Sequence, residues 1–161
     1  MKTGLEPIVN KDSKILILGS LPGEISLKNQ KYYDNKNNQF WKLLSYVYED
    51  KFIEFDDYEE KIKFLNNHKI ALWDVIKCAN REGSLDSNIK NEEYNDLYSL
   101  ITKYKIINIY VNGRKAESSL KKYLKIKNIE LNYHYLPSSS SLNAKLSIID
   151  KSKVWKSIIK K

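Results

Sequence analysis

Short apolar runs separated by stretches with helical spacing constrain this chain more than any other feature. Residues 15–18 are apolar without alternation, the pattern of a strand buried on both faces. Residues 70–75, 106–111 and 129–136 supply three further strands. Between them Phe40, Trp41, Leu44 and Val47 recur every three or four residues, so a helix begins near Asn38 with Asn37 or Asn38 as its cap. Helices are also expected over 58–65, 94–104 and 114–125. A closing helix over 144–159 would turn Leu146, Ile149, Val154, Trp155, Ile158 and Ile159 inward. Strands that alternate with helices require an α/β fold, a mostly parallel sheet covered on both faces.

With 161 residues and 42% hydrophobic content, the chain has the size of one domain, 1–161, with a sizeable core. Trp41, Trp73 and Trp155 lie on apolar faces and belong to that core. Cys78 is the only cysteine, which excludes an internal disulfide and a four-cysteine metal site. His68 and His134 stand far apart without metal-ligand spacing, so each reads as a half-buried structural residue and no metal is expected. No apolar run approaches the roughly 18 residues needed to cross a bilayer, and residues 1–7 carry no apolar signal core. A cytoplasmic monomer with no membrane contact is the expectation. The net charge of +8 suits a polyanionic partner, and 12 Tyr, 4 Phe and 3 Trp offer stacking surfaces. Only Arg81 and Arg114 among the 28 basic residues are arginines, so broad attraction to a phosphate backbone is favoured over base reading.

Two segments stand out at strand ends. Gly19-Ser20-Leu21-Pro22-Gly23 follows the first strand and opens a long loop over 19–37. Leu136-Pro137-Ser138-Ser139-Ser140-Ser141-Leu142-Asn143-Ala144 follows the fourth and is rich in hydroxyls. Ligands of α/β folds bind at such strand ends, so the pair points to a cleft for a small polar or phosphate-bearing ligand. The polar, turn-rich stretch 80–88 reads as a surface loop.

Taken with Tyr32-Tyr33 and Asn38-Gln39-Phe40-Trp41, and with Leu72-Trp73-Asp74-Val75 and Arg81-Glu82-Gly83-Ser84-Leu85-Asp86, these segments resemble the uracil-DNA glycosylase superfamily, and within it the deoxyinosine (hypoxanthine) glycosylase branch. Asn112-Gly113-Arg114-Lys115-Ala116 supports the likeness, which spans nearly the whole chain in order. The resemblance implies a three-layer α/β/α sandwich around a four-stranded parallel sheet. It also implies an enzyme that excises a deaminated base from double- or single-stranded DNA without metal or cofactor. Hypoxanthine is the expected base, with uracil the alternative.

By the same resemblance Asn38 is the catalytic residue, its amide oxygen orienting a water toward the anomeric carbon; an amide cannot act as a strong base. Read without the family, an Asn before an apolar helical run is a helix cap. Gly19, Ser20, Leu21, Pro22 and Gly23 would shape the base pocket, with Tyr33 stacking on the flipped base and Asn143 stabilising the pocket. Tyr32 is the register alternative to Tyr33. Better-known uracil glycosylases carry an acid or amide near the middle of the glycine motif, where this chain has Ser20 and Leu21. Asp34 and Glu24 are the reserve carboxylates. Pro137, Ser138, Ser139, Ser140, Ser141, Leu142 and Lys145 would form the DNA-binding loop, with Leu142 as an apolar wedge. The residues alone leave two other classes open: a protein of the same fold that binds DNA or an abasic site without cleavage, and an α/β enzyme acting on free nucleotides.

Overall fold

The computed structural model describes residues 1–143 and 145–160, so Ala144 at the end of the serine-rich segment lies outside the described residues. The strands are β1 (Lys2–Thr3), β2 (Ile15–Gly19), β3 (Ile70–Asp74), β4 (Ile76–Asn80), β5 (Lys90–Tyr94), β6 (Asn108–Asn112) and β7 (His134–Leu136). Among them run α1 (Glu24–Asn29), α2 (Phe40–Glu49), α3 (Tyr58–Asn67), α4 (Leu97–Lys103), α5 (Arg114–Lys127) and α6 (Ile148–Ile159).

The main sheet has the order β3-β2-β6-β7 and is parallel throughout. Its strands are buried on both faces because successive side chains alternate between two cores. Ile17, Leu72 and Tyr110 meet Phe40, Trp41, Leu44, Leu65 and Trp155 from α2, α3 and α6. Leu16, Leu18, Ala71 and Val111 meet Leu97, Ile101, Leu120 and Tyr123 from α4 and α5. Continuous apolar runs are therefore required in the strands, and a three-layer α/β/α sandwich results.

The chain passes from β2 to β3 on one side and later places β6 on the other side of β2. That reversal opens a crevice beyond the C-terminal ends of β2 and β6, where open α/β sheets bind ligands. Gly19 and Asn112 mark those two ends.

Several sequence expectations need correction. The expected loop over 19–37 contains α1. A second, antiparallel sheet of order β1-β4-β5 was missed, because its strands are short and mostly polar. Tyr94 consequently ends a strand, and the following helix begins only at Leu97, capped by Asp96, whose carboxylate accepts from the Ser99 N–H. The closing helix starts at Ile148, leaving Leu146 and Ile149 exposed. Trp41 and Trp155 are core residues, whereas Trp73 is only partly buried and packs at the core's margin. His134 is exposed, while His68 is partly buried and stacks on Tyr48 at 3.9 Å between ring centroids. Among the described residues no helix is long and apolar enough to cross a membrane.

Candidate active site

A cleft of about 630 Å³ occupies the crevice at the ends of β2 and β6. Its floor is the segment Gly19 to Gly23 that leaves β2. Tyr33 and Asn38 line it, as do Ser84 to Ser87 and, in the segment after β7, Ser138 to Asn143 with Lys145. Segments far apart in sequence thus meet because each leaves the same edge of the sheet or packs against it.

Asn38 stands one residue before Gln39, the residue that caps α2 without a side-chain hydrogen bond. The Asn38 Oδ1 accepts from the Phe40 N–H at 3.0 Å and from the Ser139 hydroxyl at 2.8 Å. The expected cap at Asn37 or Asn38 is thus corrected to Gln39; Asn38 instead closes an Asx turn just before the helix, and the residue lines the cleft. Ser139 itself is 1% exposed. Its hydroxyl accepts from Asn112 Nδ2 at 2.9 Å, and its N–H donates to Asn112 Oδ1 at 2.9 Å. Asn112 Nδ2 also reaches the Tyr33 hydroxyl at 3.3 Å. A continuous polar network thus ties Tyr33, Asn112, Ser139 and Asn38 into one wall. Gly113 is needed behind it: its φ is +95°, and a Cβ there would stand 3.0 Å from Ser138 Cβ.

Tyr33 stacks on Phe40, with ring centroids 3.9 Å apart and planes within 9°. Its φ of +51° is unusual for a tyrosine, a strained backbone that the stack and the network hold in place. Tyr32 also borders the cleft but is buried in the core, its hydroxyl donating to the Glu6 carbonyl at 2.7 Å. The adjacent aromatics thus have separate tasks, and Tyr33 is the one whose hydroxyl joins the cleft network.

The role of the stretch 80–88 was not legible in the sequence. Residues 82–88 are exposed, as a surface loop should be, but Arg81 is 6% exposed, and its guanidinium donates to the carbonyls of Leu21 and Pro22. Ser20 Oγ donates to Asp86 at 2.8 Å, and Ser84 Oγ accepts from the Glu24 N–H at 3.0 Å. Through Arg81, Ser84 and Asp86 the stretch clamps the glycine-motif floor.

Asp74 was likewise missed as a site residue. It ends β3 in register with Gly19, is 4% exposed and lines the cleft. Burial first, then the nearby Asp86 charge, pushes its carboxyl up to about 7, against a smaller opposing effect of Arg81. The available sequence signal was its place in the block Leu72-Trp73-Asp74-Val75.

Other expected residues are distributed unevenly. Ser138, Ser140, Ser141, Asn143 and Lys145 line the cleft with Leu142, which is 71% exposed at its mouth. Pro137 does not line it: the residue is buried, its carbonyl accepting from Trp155 Nε1 at 2.9 Å. Ser139 is an internal bracing residue instead of an open DNA contact. Lys151, unforeseen in the sequence, lies buried behind the rim and donates to Gln39 Oε1 and the Ser140 carbonyl at 2.9 and 3.1 Å. Of the reserve carboxylates, Glu24 borders the cleft and pairs with Lys2 at 3.1 Å, while Asp34 accepts from Asn29 outside it. Among the described residues no group of three or more His, Cys, Asp or Glu side chains is placed to hold a metal ion.

Fold and site together define a three-layer α/β/α protein with an aromatic-walled, amide-lined cleft at the switch point of its sheet. Residues 6–159 match the family model of the uracil DNA glycosylase superfamily, and the chain belongs to that superfamily. It is 39% identical over 150 residues to a hypoxanthine DNA glycosylase of Methanosarcina acetivorans, covering 91% of each chain. A hypoxanthine DNA glycosylase of Methanosarcina barkeri is 39% identical over 119 residues, 71% of this chain and 73% of that one. A solution NMR structure of a Methanosarcina acetivorans protein, provisionally named a uracil DNA glycosylase, superposes with a TM-score of 0.79. It shows 38% identity and covers 98% of this chain and 95% of its own.

Proposed function

We propose that this protein is a monofunctional DNA glycosylase that flips a deaminated base out of DNA and hydrolyses its N-glycosidic bond. Hypoxanthine is the base favoured by the relatives' names, with uracil the alternative. The chain acts as a cytoplasmic monomer, one domain over 1–161, on double- or single-stranded DNA. The observation that carries the reading is the meeting of Asn38 and Tyr33 in one cleft, 5 residues apart in a stretch that the Ser139–Asn112 network braces.

A deaminated base is already mispaired, so it leaves the stack at a lower cost than a normal one. The Tyr33 ring offers the flipped base a flat wall, and Gly19 to Gly23 bring backbone close beneath it. Bond cleavage places positive charge on the sugar and negative charge on the departing base. Asn38 Oδ1, fixed by two donors, is a preorganised negative dipole end for the former. A water in the cleft beside Asn38 attacks the anomeric carbon and loses its proton to solvent, since the amide takes none. Ser138, Ser140 and Ser141 present hydroxyls to backbone phosphates, Leu142 stands ready to fill the vacated stack, and Lys145 adds attraction.

The test uses duplexes carrying deoxyinosine, uracil or a normal pair, followed by alkali. Strand breaks on the deoxyinosine duplex are expected. Intact strands on every lesion overturn the reading, and binding without breaks would favour a non-catalytic DNA-binding protein.

A further inference from the structure

Lys151 is a cation in a place that disfavours one. It is 1% exposed, and none of the ion pairs among the described residues includes it. It also stands in the first turn of α6, where the helix dipole presents its positive end. Burial pulls its pKa below the usual lysine value. Its partners are two neutral oxygens, Gln39 Oε1 at 2.9 Å and the Ser140 carbonyl at 3.1 Å. That carbonyl also accepts from the Asn143 N–H at 3.1 Å, so it would not be orphaned without the lysine. A methionine would fill similar space with no charge to desolvate. Stability therefore gives no reason for an ammonium here; the reason lies in what it holds.

The two partners flank the contact at the centre of the site. Gln39 follows Asn38, and Ser140 follows Ser139, whose hydroxyl donates to Asn38 Oδ1 at 2.8 Å. The Gln39 N–H adds a bond to the Ser139 carbonyl at 2.8 Å. One ammonium, with donors only, thus joins the start of α2 to the loop after β7 beside the Asn38–Ser139 bond.

We propose that Lys151 is a positioning residue of the excision reaction: it locks the loop after β7 to the start of α2, so that seating the loop on the DNA backbone fixes Asn38 against the flipped nucleotide. The inference rests on the glycosylase reading and deepens it. Lys151 does not line the cleft, and it acts through Gln39, Ser140 and the Asn38–Ser139 bond. Without it the loop and the helix can shift against each other, and reaction rates fall steeply with such misplacement.

The experiment compares wild type, Lys151→Met, Ser139→Ala and the double variant. Single-turnover excision from a deoxyinosine duplex, with enzyme in saturating excess, gives the rate. Binding to a duplex whose deoxyinosine is fluorinated on the sugar, and so resists excision, gives the affinity. Lys151→Met should excise about tenfold more slowly. It should bind the fluorinated duplex within about twofold of wild type, with the same salt dependence, because a buried ammonium releases no counterions from DNA. Its Tm should hold or rise, since a buried charge is gone. Ser139→Ala removes the bond that Lys151 secures, so adding Lys151→Met to it should cost less than about threefold further. Excision by Lys151→Met at the wild-type rate, or the full tenfold loss repeated in the Ser139→Ala background, overturns the proposal. So does a loss confined to affinity with a shallower salt dependence, which would make Lys151 a phosphate contact. A slower rate accompanied by a Tm lowered by several degrees also overturns it, leaving Lys151 a packing residue. Should Lys151→Met not fold by circular dichroism, Gln39→Met, which removes the other end of the link, takes its place in the same comparison with the same rates expected. A wild type that excises no lesion overturns the glycosylase reading, and this inference with it.

Discussion

The Ser139 hydroxyl donates to Asn38 Oδ1 across 2.8 Å, although the two residues are separated by 101 positions in the chain. The contact joins the loop after β7 to the start of α2. It also means that the amide at the centre of the proposed reaction is held by a partner that the sequence had assigned to DNA.

Replacing Asn38 with Ala removes the preorganised dipole and the turn into α2 together. Excision should fall about a hundredfold or more, by analogy with the loss of one preorganised polar group in other active sites. Stability should drop by about 1 kcal/mol, because the Phe40 N–H loses its side-chain acceptor. Single-turnover rates and thermal melts measure the two losses separately. A full wild-type rate in a variant with a lowered Tm would reduce Asn38 to a residue of that turn.

Ser139→Ala should separate bracing from DNA contact. The variant frees one position on Asn38 Oδ1 and leaves Asn112 Nδ2 with a lost acceptor, so excision should slow by about tenfold. Affinity for a non-cleavable duplex should hardly change, because the hydroxyl is buried. Ser141→Ala, at the exposed rim, should do the reverse. Equal loss of affinity in both would return Ser139 to the phosphate-gripping role.

The main sheet was legible because strands buried on both faces must be continuously apolar, as 15–18 is, and because Phe40, Trp41, Leu44 and Val47 declare their helix by spacing. The small sheet was not: Lys90–Tyr94 reads KNEEY, and nothing in that string marks an edge strand paired to β4. In the site, residues with a familiar neighbourhood, Asn38 and Tyr33, could be singled out. The tasks of Arg81, Asn112 and Lys151 could not be read, because they depend on backbone carbonyls and loop atoms brought close only by folding. Asp74 escaped for a further reason. Its chemistry comes from burial, and one strand-end acid in a sequence looks like any other.

Gly19→Ala tests the floor. A Cβ at this position would stand 2.4 Å from Asp74 Oδ1 and 2.8 Å from the Tyr33 hydroxyl, closer than atoms can approach. Both side chains must shift, at a cost of about 1–3 kcal/mol for such overpacking. Excision should become undetectable while far-ultraviolet circular dichroism stays native. A variant with normal kinetics would show that the floor need not be closed so tightly.

Arg81→Met keeps the length of the side chain but removes the donors to the Leu21 and Pro22 carbonyls. Each orphaned carbonyl costs about 1–3 kcal/mol, so a clear fall in Tm is expected. The base pocket should suffer more than DNA binding, since the clamp holds the floor and not the rim. Deoxyinosine excision and affinity for undamaged duplex, measured together, distinguish the two; a loss confined to affinity would contradict the clamp.

Asp74 also makes stability depend on pH in a direction opposite to that of most carboxylates. Folding raises its pKa from 3.8 to about 7, first through burial and then through Asp86. Below the lower value both states are protonated, and the group imposes no penalty. Between the two values the folded chain keeps a proton that the unfolded chain releases, so stability falls as pH rises. Above about 7 the loss is complete, on the order of a few kcal/mol. Asp74→Asn has no charge to bury, so it should melt close to the wild type near about pH 4 and several degrees above it near about pH 8. Calorimetric scans of both proteins at the two pH values provide the measurement. An Asn variant whose advantage does not grow with pH would mean that Asp74 is ionised in the folded protein, with a cation or donors satisfying it.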